Sequence, residues 1–351
     1  APIYYQENYD NSGLIVGDEN AIVNAALVTL DCTEAVIDEA LAKGCNLVIA
    51  HHPIIFKGLK KLNGGDYIQR IIIKAIKHNI SIYAMHTNLD NVLNGVSSEI
   101  AKRLGVENTK ILKPKKDLLR QLVVYCPTSD VDKLRNQLFQ AGAGDIGNYD
   151  ECSFSSVGKG TFRSDERCNP HVGLIGERNT VEEEKIEVVF TKDKENSIIS
   201  AMKNTHPYEE VAYQIYSLDN LYQDVGSGII GELPKAIKAE KFLAMIKSKM
   251  KTDCVRYTKL VKDKIKKVAI CGGSGSFLLS IAKKAKADIF ITADFKYHEF
   301  FDAENEIVIA DIGHYESEQF TKDLIFDLLT KKFTKFAVRL SKVNTNPIKY
   351  L

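Results

Sequence analysis

Two adjacent histidines, His51 and His52, follow the apolar run NLVIA and are themselves followed by Pro53. Successive side chains of an extended chain point to opposite faces, so a histidine pair normally diverges. Pro53 also favours an extended backbone at His52, where the strand ends. Imidazole is a common metal ligand, and a pair held in this way can serve two neighbouring metal ions.

Three further residues have side chains that would complete such a site. Asp90 lies four residues after His86 in HTNLD, and its carboxylate could bridge two cations. His314 and Glu318 in DIGHYESE are spaced i, i+4 and share one helix face if a helix begins near His314. Imidazole and carboxylate ligation without thiolate favours Zn, Fe or Mn over a structural thiolate zinc site. Five ligands suit two divalent ions better than one: His51, His52, Asp90, His314 and Glu318.

Five of the eight histidines lie just beyond predicted strands: His51, His52, His86, His298 and His314. In open α/β sheets, ligands bind in the crevice outside the carboxyl ends of the strands. A single strand-end histidine is more often a turn or surface residue, and an i, i+4 His–Glu pair is common on solvated helices. Their coincidence at matching strand ends is what favours a common site.

Two turns are weaker candidates. Asp10 and Asn11 in YDNSG are interpreted as residues that orient metal ligands through hydrogen bonds, with a simple turn as the alternative. The segment CGGSGS follows a strand and opens a helix, where backbone N–H groups can contact an anion. It lacks the spacing of a dinucleotide fingerprint or a Walker loop, so a purely structural turn is the competing interpretation. The residues of this predicted anion site are Gly272, Gly273, Ser274 and Gly275.

The elements around these motifs alternate between strand and helix, which indicates parallel sheets flanked by helices. Residues 47–49 (LVI) in the first half align with residues 289–291 (IFI) in the second half. We therefore predict an α/β protein with two related α/β lobes, residues 1–117 and 219–351, forming one split domain. Shared strand propensity is the alternative explanation of the match.

Residues 118–218 have a different order of predicted elements, βαββαβ, which predicts an inserted ferredoxin-like α+β domain. HVGLIGE, residues 171–177, is one of its predicted strands. Within THPYEE, His206 with Glu209 and Glu210 could bind a metal, although a proline-containing turn is the preferred interpretation.

The composition excludes several classes of protein. No stretch reaches the ~18 apolar residues of a membrane span, and 47 basic against 46 acidic residues make nucleic acid an unexpected partner. Seven scattered cysteines without a Cys-x-x-Cys pair favour a reduced, cytoplasmic setting. The chain begins without methionine inside a structured segment, so we expect an N-terminal helix outside this numbering.

Six motifs together resemble the Nif-three-like dinuclear metal family, whose members are also called GTP cyclohydrolase I type 2 homologues. They are NYDNSGLIVGD, AHHPIIF, MHTNLDNV, CGGSGS, ITADFKYHEF and DIGHYESE, and the resemblance spans nearly all of the chain outside the insert. It implies that the five residues above are the metal ligands, with Asp90 able to bridge both ions. It also implies outer-sphere or acid–base roles for His86, Asp294 and His298, and a toroidal homohexamer.

The insert resembles the PII-like or CutA-like module of longer family members, on the segments GKGTFRSDERCNPHVGLIGE and THPYEEVAYQIYSL. Modules of that shape often trimerise or bind small ligands, so the resemblance implies a regulatory role.

The leading functional hypothesis is metal-dependent hydrolysis of a small nucleotide-like or cyclic amide substrate, with His86 or His298 exchanging protons. The alternative is a non-enzymatic metal-binding regulatory or scaffold protein whose insert senses a ligand. A third hypothesis is an adaptor that binds another protein through the insert.

Overall fold

The computed structural model describes residues 1–351, which form two compact units. The first unit combines Ala1–Pro114 with Gln223–Leu351, and the second is Lys115–Tyr222. The segment predicted as an insert, 118–218, begins three residues later and ends four residues earlier than the second unit. None of the helices has the length and apolar character needed to cross a lipid bilayer.

The elements are numbered here in chain order. The strands β1 to β15 are Gly13–Val16, Ala25–Thr29, Leu47–Ala50, Ser81–Ala84, Glu107–Lys115, Leu119–Pro127, Phe154–Phe162, Asn179–Thr191, Tyr213–Leu218, Tyr222–Lys238, Arg256–Tyr257, Lys264–Ser274, Ile289–Ala293, Val308–Asp311 and Ala337–Leu340. The helices α1 to α10 are Glu34–Ala42, Tyr67–Lys77, Thr87–Asp90, Val96–Leu104, Val131–Gln140, Glu195–Thr205, Ala239–Lys249, Leu279–Lys284, His314–Glu318 and Thr321–Lys332. Short 3-10 helices are Ile3–Tyr5, Lys192–Lys194, Ser276–Leu278 and Tyr297–Ala303.

The first sheet of the larger unit has the order β1-β4-β3-β2-β15. Strands β4, β3, β2 and β15 are parallel to one another, and β1 pairs antiparallel with β4 at one edge. Strand β2 is buried throughout, as expected for a parallel strand with both faces covered. The side chains of Thr33 and Asp66 cap the first turns of α1 and α2, which fixes where these covering helices begin.

The second sheet has the order β11-β14-β13-β12-β10-β5. Its strands β12, β13 and β14 are parallel, whereas β10 and β11 run antiparallel to their partners β12 and β14. The predicted α/β class is therefore confirmed, with more than one sheet. The two segments aligned above lie in β3 and β13, and each of these strands lies between two parallel neighbours.

The second unit has the element order β6-α5-β7-β8-α6-β9 and an antiparallel sheet of order β7-β8-β6-β9. The predicted strand at 171–177 is wrong. Gly173 and Gly176 adopt left-handed φ values of +88° and +82°, and the Asn179 side chain bonds both the N–H and the carbonyl of Leu174. These features form turns, and β8 begins only at Asn179.

His206 of this unit is buried, with one ring nitrogen 2.8 Å from the Tyr125 carbonyl and the other accepting the Tyr208 N–H at 3.1 Å. Both ring nitrogens thus have partners within the fold, which supports the turn interpretation of THPYEE over a metal site.

Candidate metal centre

Parallel pairing brings the first group of polar residues to one sheet edge. Asp31, His51 and His86 each follow the carboxyl end of one of the adjacent strands β2, β3 and β4. Because parallel strands end at the same edge, side chains from three separate segments meet there.

The second sheet supplies further polar residues of the cluster, which also follow the carboxyl ends of parallel strands. Asp294 follows β13 and His314 follows the neighbouring β14. Helix α9 begins at His314 and ends at Glu318, as the i, i+4 spacing predicted, and His314 Nε2 lies 3.1 Å from Glu318 Oε2. Asp294 has a left-handed φ of +60°, an uncommon conformation for a residue other than glycine that is concentrated at functional sites.

The five predicted metal ligands converge. The buried Glu318 Oε2 lies 2.9 Å from His52 Nε2 and 3.8 Å from His51 Nε2. His51 Nε2 lies 3.6 Å from Asp90 Oδ1, and His52 Nε2 lies 3.3 Å from His314 Nε2. One possible ligand atom from each of His51, His52 and Glu318 falls within a 4.8 Å cluster.

An oxygen behind each imidazole fixes the orientation of its ring. The four Nδ1 contacts, at 2.6 to 2.7 Å, are His51 with the Met85 carbonyl, His52 with Asp31, His86 with Asp10, and His314 with Asp294. An oxygen at Nδ1 favours the tautomer in which Nδ1 carries the proton, so Nε2 has a lone pair for a metal. This is the usual outer arrangement of histidine ligands in metal proteins.

Two buried atoms in the cluster have no hydrogen-bond partner, His51 Nε2 and Asp90 Oδ1. The Met85 carbonyl can only accept, so a neutral His51 carries its proton on Nδ1 and its Nε2 is an acceptor. Asp90 Oδ1 is also an acceptor when this carboxyl is ionised. Buried acceptors without a donor are costly and need an explanation. A cation beside both atoms would provide one, so the residues present fit a divalent metal ion.

The charges of the cluster are tightly linked. Burial would lower the pKa of His52, but its hydrogen bonds to Asp31 and Glu318 raise it to about 10. Burial opposes a similar rise at His314, where Glu318 and Asp294 bring the pKa to about 11. Burial raises the pKa of Asp90 to about 7, with Glu318 adding to the rise and His51 opposing it. Protons on the rings thus neutralise carboxylates that a metal ion could also neutralise.

The glycine turn at 271–276 does not present a set of free N–H groups to an anion. The N–H of Gly272 donates to Ser97 Oγ at 3.3 Å, and that of Gly273 donates to Ser317 Oγ at 2.9 Å. Ser274 Oγ donates to Asp294. Gly273 has a φ of +61°, and a Cβ there would overlap the Glu318 carboxylate. The structural alternative therefore accounts for this turn, which lets the backbone approach Glu318 closely.

Of the remaining predicted residues, Asp10 and Asn11 make hydrogen bonds to segments beside the cluster, whereas His298 lies away from it. Asp10 accepts hydrogen bonds from His86 and from the backbone and hydroxyl of Thr87, and Asn11 donates its side-chain amide to the Ile55 carbonyl at 2.7 Å. His298, in contrast, is exposed outside the cavity, with its ring centroid 5.2 Å from that of Tyr297. The structure does not bring His298 to the cluster.

Asp31, whose Oδ1 contacts His52 Nδ1, is a site residue that the sequence patterns did not identify. Asp31 stands in LVTLDC, two residues beyond β2, so the strand-end rule that selected the histidines applies to it equally. A single aspartate after a strand is too common to be selected without that rule.

A cavity of about 1020 Å³ opens beside the cluster. His52, His86, Asp90, His314 and Glu318 all line it. Five tyrosine or phenylalanine side chains contribute to the same lining: Tyr9, Phe56, Tyr67, Phe277 and Tyr315. The Phe56 ring meets that of His86 edge-on, with centroids 5.5 Å apart.

Known proteins resemble this chain along its full length. A GTP cyclohydrolase 1 type 2 homolog of Halalkalibacterium halodurans is 39% identical over 347 residues, which cover 97% of this chain and 93% of that protein. The homolog of the same name from Bacillus subtilis is 38% identical, with 100% of this chain and 95% of that protein covered.

Solved structures and a family model agree with these relatives. The crystal structure of a Bacillus cereus protein related to NIF3 has a TM-score of 0.87 and 35% identity, covering 100% of this chain and 95% of that one. The model of the family described as Duf34/NIF3 (NGG1p interacting factor 3) matches residues 1–347. The resemblance expected from the motifs is confirmed, and the chain belongs to the DUF34/NIF3 family.

Proposed function

We propose that the protein binds two divalent metal ions per chain, of the Zn, Fe or Mn class, and hydrolyses a small substrate beside them. The five ligands are His51, His52, Asp90, His314 and Glu318. The observation that carries the proposal is the buried, unpartnered pair His51 Nε2 and Asp90 Oδ1. Glu318 Oε2 lies within 3.8 Å of all three histidine Nε2 atoms, which supports sites for two neighbouring ions.

Two divalent ions supply Lewis-acid chemistry, which activates water near neutral pH and stabilises charge that develops on an oxygen. The chain's own contribution is to hold the ligands and to move a proton. His86 lines the cavity, and its Nδ1 lies 2.7 Å from Asp10 Oδ1. Asp10 keeps the ring oriented, so His86 can exchange a proton through Nε2 as a general acid or base.

The cavity supports a small, flat substrate of the nucleotide-like or cyclic amide class. Its volume of about 1020 Å³ is large enough for such a molecule. Aromatic rings offer faces and edges on which a planar heterocycle can pack, and Phe56 places one such ring directly beside His86.

The assembly is also part of this proposal. The resemblance to toroidal hexamers supports self-association, and the element order of residues 115–222 supports a ferredoxin-like module inserted into the metal-binding unit. In this module β7 is an edge strand, with Phe154 and Val157 respectively 67% and 64% exposed. Apolar side chains on an edge strand favour contact with another chain.

Metal analysis combined with a turnover screen tests the function. The full chain is loaded with Zn²⁺, Mn²⁺ or Fe²⁺ and assayed against nucleotides and cyclic amides. Asp90→Asn and Glu318→Gln are expected to lose metal and turnover together. His86→Asn is expected to keep both ions and to lose roughly 100- to 10,000-fold in turnover, the usual worth of a general acid or base.

Glu304→Gln is the matched control, because Glu304 pairs with Lys283 and does not line the cavity. It should leave metal content and turnover unchanged. Two bound ions without turnover of any candidate substrate would contradict hydrolysis and favour the regulatory or scaffold hypothesis. No metal in the wild-type chain would contradict the proposal as a whole.

A further inference from the structure

Residues 341–350, which follow β15, run along the unit formed by Ala1–Pro114 and Gln223–Leu351 and are called here the C-terminal strap. Its first end is tied to helix α1. Ser341 Oγ donates to Glu39 Oε2 at 2.5 Å, and the Lys342 N–H donates to Glu39 Oε1 at 2.9 Å. These bonds fix where the strap leaves β15.

The middle of the strap reaches the residue that holds His52. Thr345 Oγ1 donates to Asp31 Oδ2 at 2.5 Å, while Asp31 Oδ1 lies 2.7 Å from His52 Nδ1. Each carboxylate oxygen of Asp31 thus has one partner, and the two bonds together define the plane of the carboxylate. Without the hydroxyl, Asp31 would be held on only one side.

The far part of the strap contacts the helix that carries the other ligands. Asn346 Nδ2 donates to Glu316 Oε1 at 2.9 Å, and the buried Glu316 belongs to α9, between His314 and Glu318. Residues 345–348 also line the cavity. The strap therefore touches both halves of the cluster, the His52 side through Asp31 and the α9 side through Glu316.

We propose that the C-terminal strap is a positioning element of the metal centre, in which Thr345 orients His52 through Asp31. The inference rests on the proposed metal binding. Groups that orient a ligating histidine are worth about 10- to 100-fold in metal affinity. The hydroxyl of Thr345 lies one hydrogen bond further from the metal than Asp31 does. Its loss should therefore lower the affinity for the ion at His52 by roughly 3- to 10-fold.

Chelator-competition titration of the full chain with Zn²⁺ tests this, together with the visible absorption spectrum of the Co²⁺-loaded chain. Thr345→Val keeps the shape and removes the hydroxyl, so it should weaken one of the two ions and change the Co²⁺ spectrum. Thr345→Ser retains the hydroxyl and should restore both. Thr345→Ala gives the same test if the Val variant does not fold.

Thr330→Val is the control, because Thr330 is also partly buried and bonds the Phe326 carbonyl, but it does not line the cavity. It should leave both readouts unchanged. In an Asp31→Ala background, Thr345→Val should have no further effect on affinity. Wild-type affinity in Thr345→Val and Thr345→Ala, or equal losses in the Ser and Val variants, would overturn the inference. Absence of metal from the wild type would instead overturn the proposed function.

Discussion

The four imidazole rings around the cavity differ in the oxygen that each one contacts. His51 donates to a neutral carbonyl, whereas His52, His86 and His314 each face a carboxylate. A carboxylate stabilises the protonated ring, but a carbonyl does so much less. His51 thus has an uncharged group behind its ring, whereas Asp10 holds the ring of His86 at the cavity wall with a carboxylate.

Gly273→Ala is expected to weaken both the fold and metal binding. Gly273 has a left-handed φ of +61°, and a Cβ there would lie 3.3 Å from His314 Cε1 as well as against Glu318. The conformation alone costs about 1–3 kcal/mol for a residue with a side chain. Urea unfolding and Zn²⁺ titration measure the two effects. Gly158→Ala is the control, since a Cβ at Gly158 meets no atom within 4 Å; similar results for both variants would contradict the prediction.

At the scale of elements, strand direction explains why distant segments meet. Strands β2, β3 and β4 are parallel, as are β12, β13 and β14, so polar residues that follow them lie at common edges. Helix α9 then supplies two ligand positions one turn apart. The side-chain caps of α1 and α2 fix where these two helices begin, and the bonds between the C-terminal strap and Glu39 fix where β15 ends.

Glu39→Gln tests the contact between α1 and the first two residues of the C-terminal strap, Ser341 and Lys342. Partial burial would raise the pKa of Glu39, but Lys43, Ser341 and the Lys342 N–H lower it to about 2. A carboxylate whose pKa is lowered in the folded state stabilises the fold at pH values above its ordinary pKa of 4.5. This stabilisation is lost as the pH falls toward 2. We expect the variant to lose roughly 1–2 kcal/mol at pH 7 and progressively less below pH 4.5.

Urea unfolding of the wild type and the Glu39→Gln variant between pH 7 and pH 3 measures this difference. Glu34→Gln is the control, because its ion pair with Arg70 is exposed and worth little. A stability difference between wild type and Glu39→Gln that does not shrink at low pH would count against the assignment.

Local sequence patterns were sufficient to predict the strand-end histidines, helix α9 and the α/β class, because each of these depends on alternation or spacing over a few residues. They failed at 171–177, where HVGLIGE has apolar residues typical of a strand but two glycines with left-handed φ. They also missed Asp31 and placed His298 among the catalytic candidates. Which strand-end side chains share one cavity depends on sheet order, and no local pattern contains that information.

At the scale of the molecule, two units share one chain. The cluster and its cavity are built only from Ala1–Pro114 and Gln223–Leu351, while Lys115–Tyr222 has its own sheet and its own buried core. The proposed function therefore assigns metal binding and self-association to different residues. We expect substitutions to alter the two properties separately.

Native mass spectrometry of the full chain tests this separation. The wild type is expected as one species of six chains with two ions per chain. Val157→Lys places a charge on the exposed edge strand β7 and should give smaller species that still carry metal. Thr161→Lys is the control on the same strand, at a position that is already polar and exposed. Hexamers of Val157→Lys would exclude this edge as the contact.

The hydrogen bond between His52 and Glu318 joins residues 266 positions apart. During synthesis, the paired imidazoles leave the ribosome long before their shared carboxylate and before Thr345. A chain that stops before His314 therefore has three of the five proposed ligands, His51, His52 and Asp90. We expect such a chain to bind Zn²⁺ more weakly than one that also contains His314, Glu318 and Thr345.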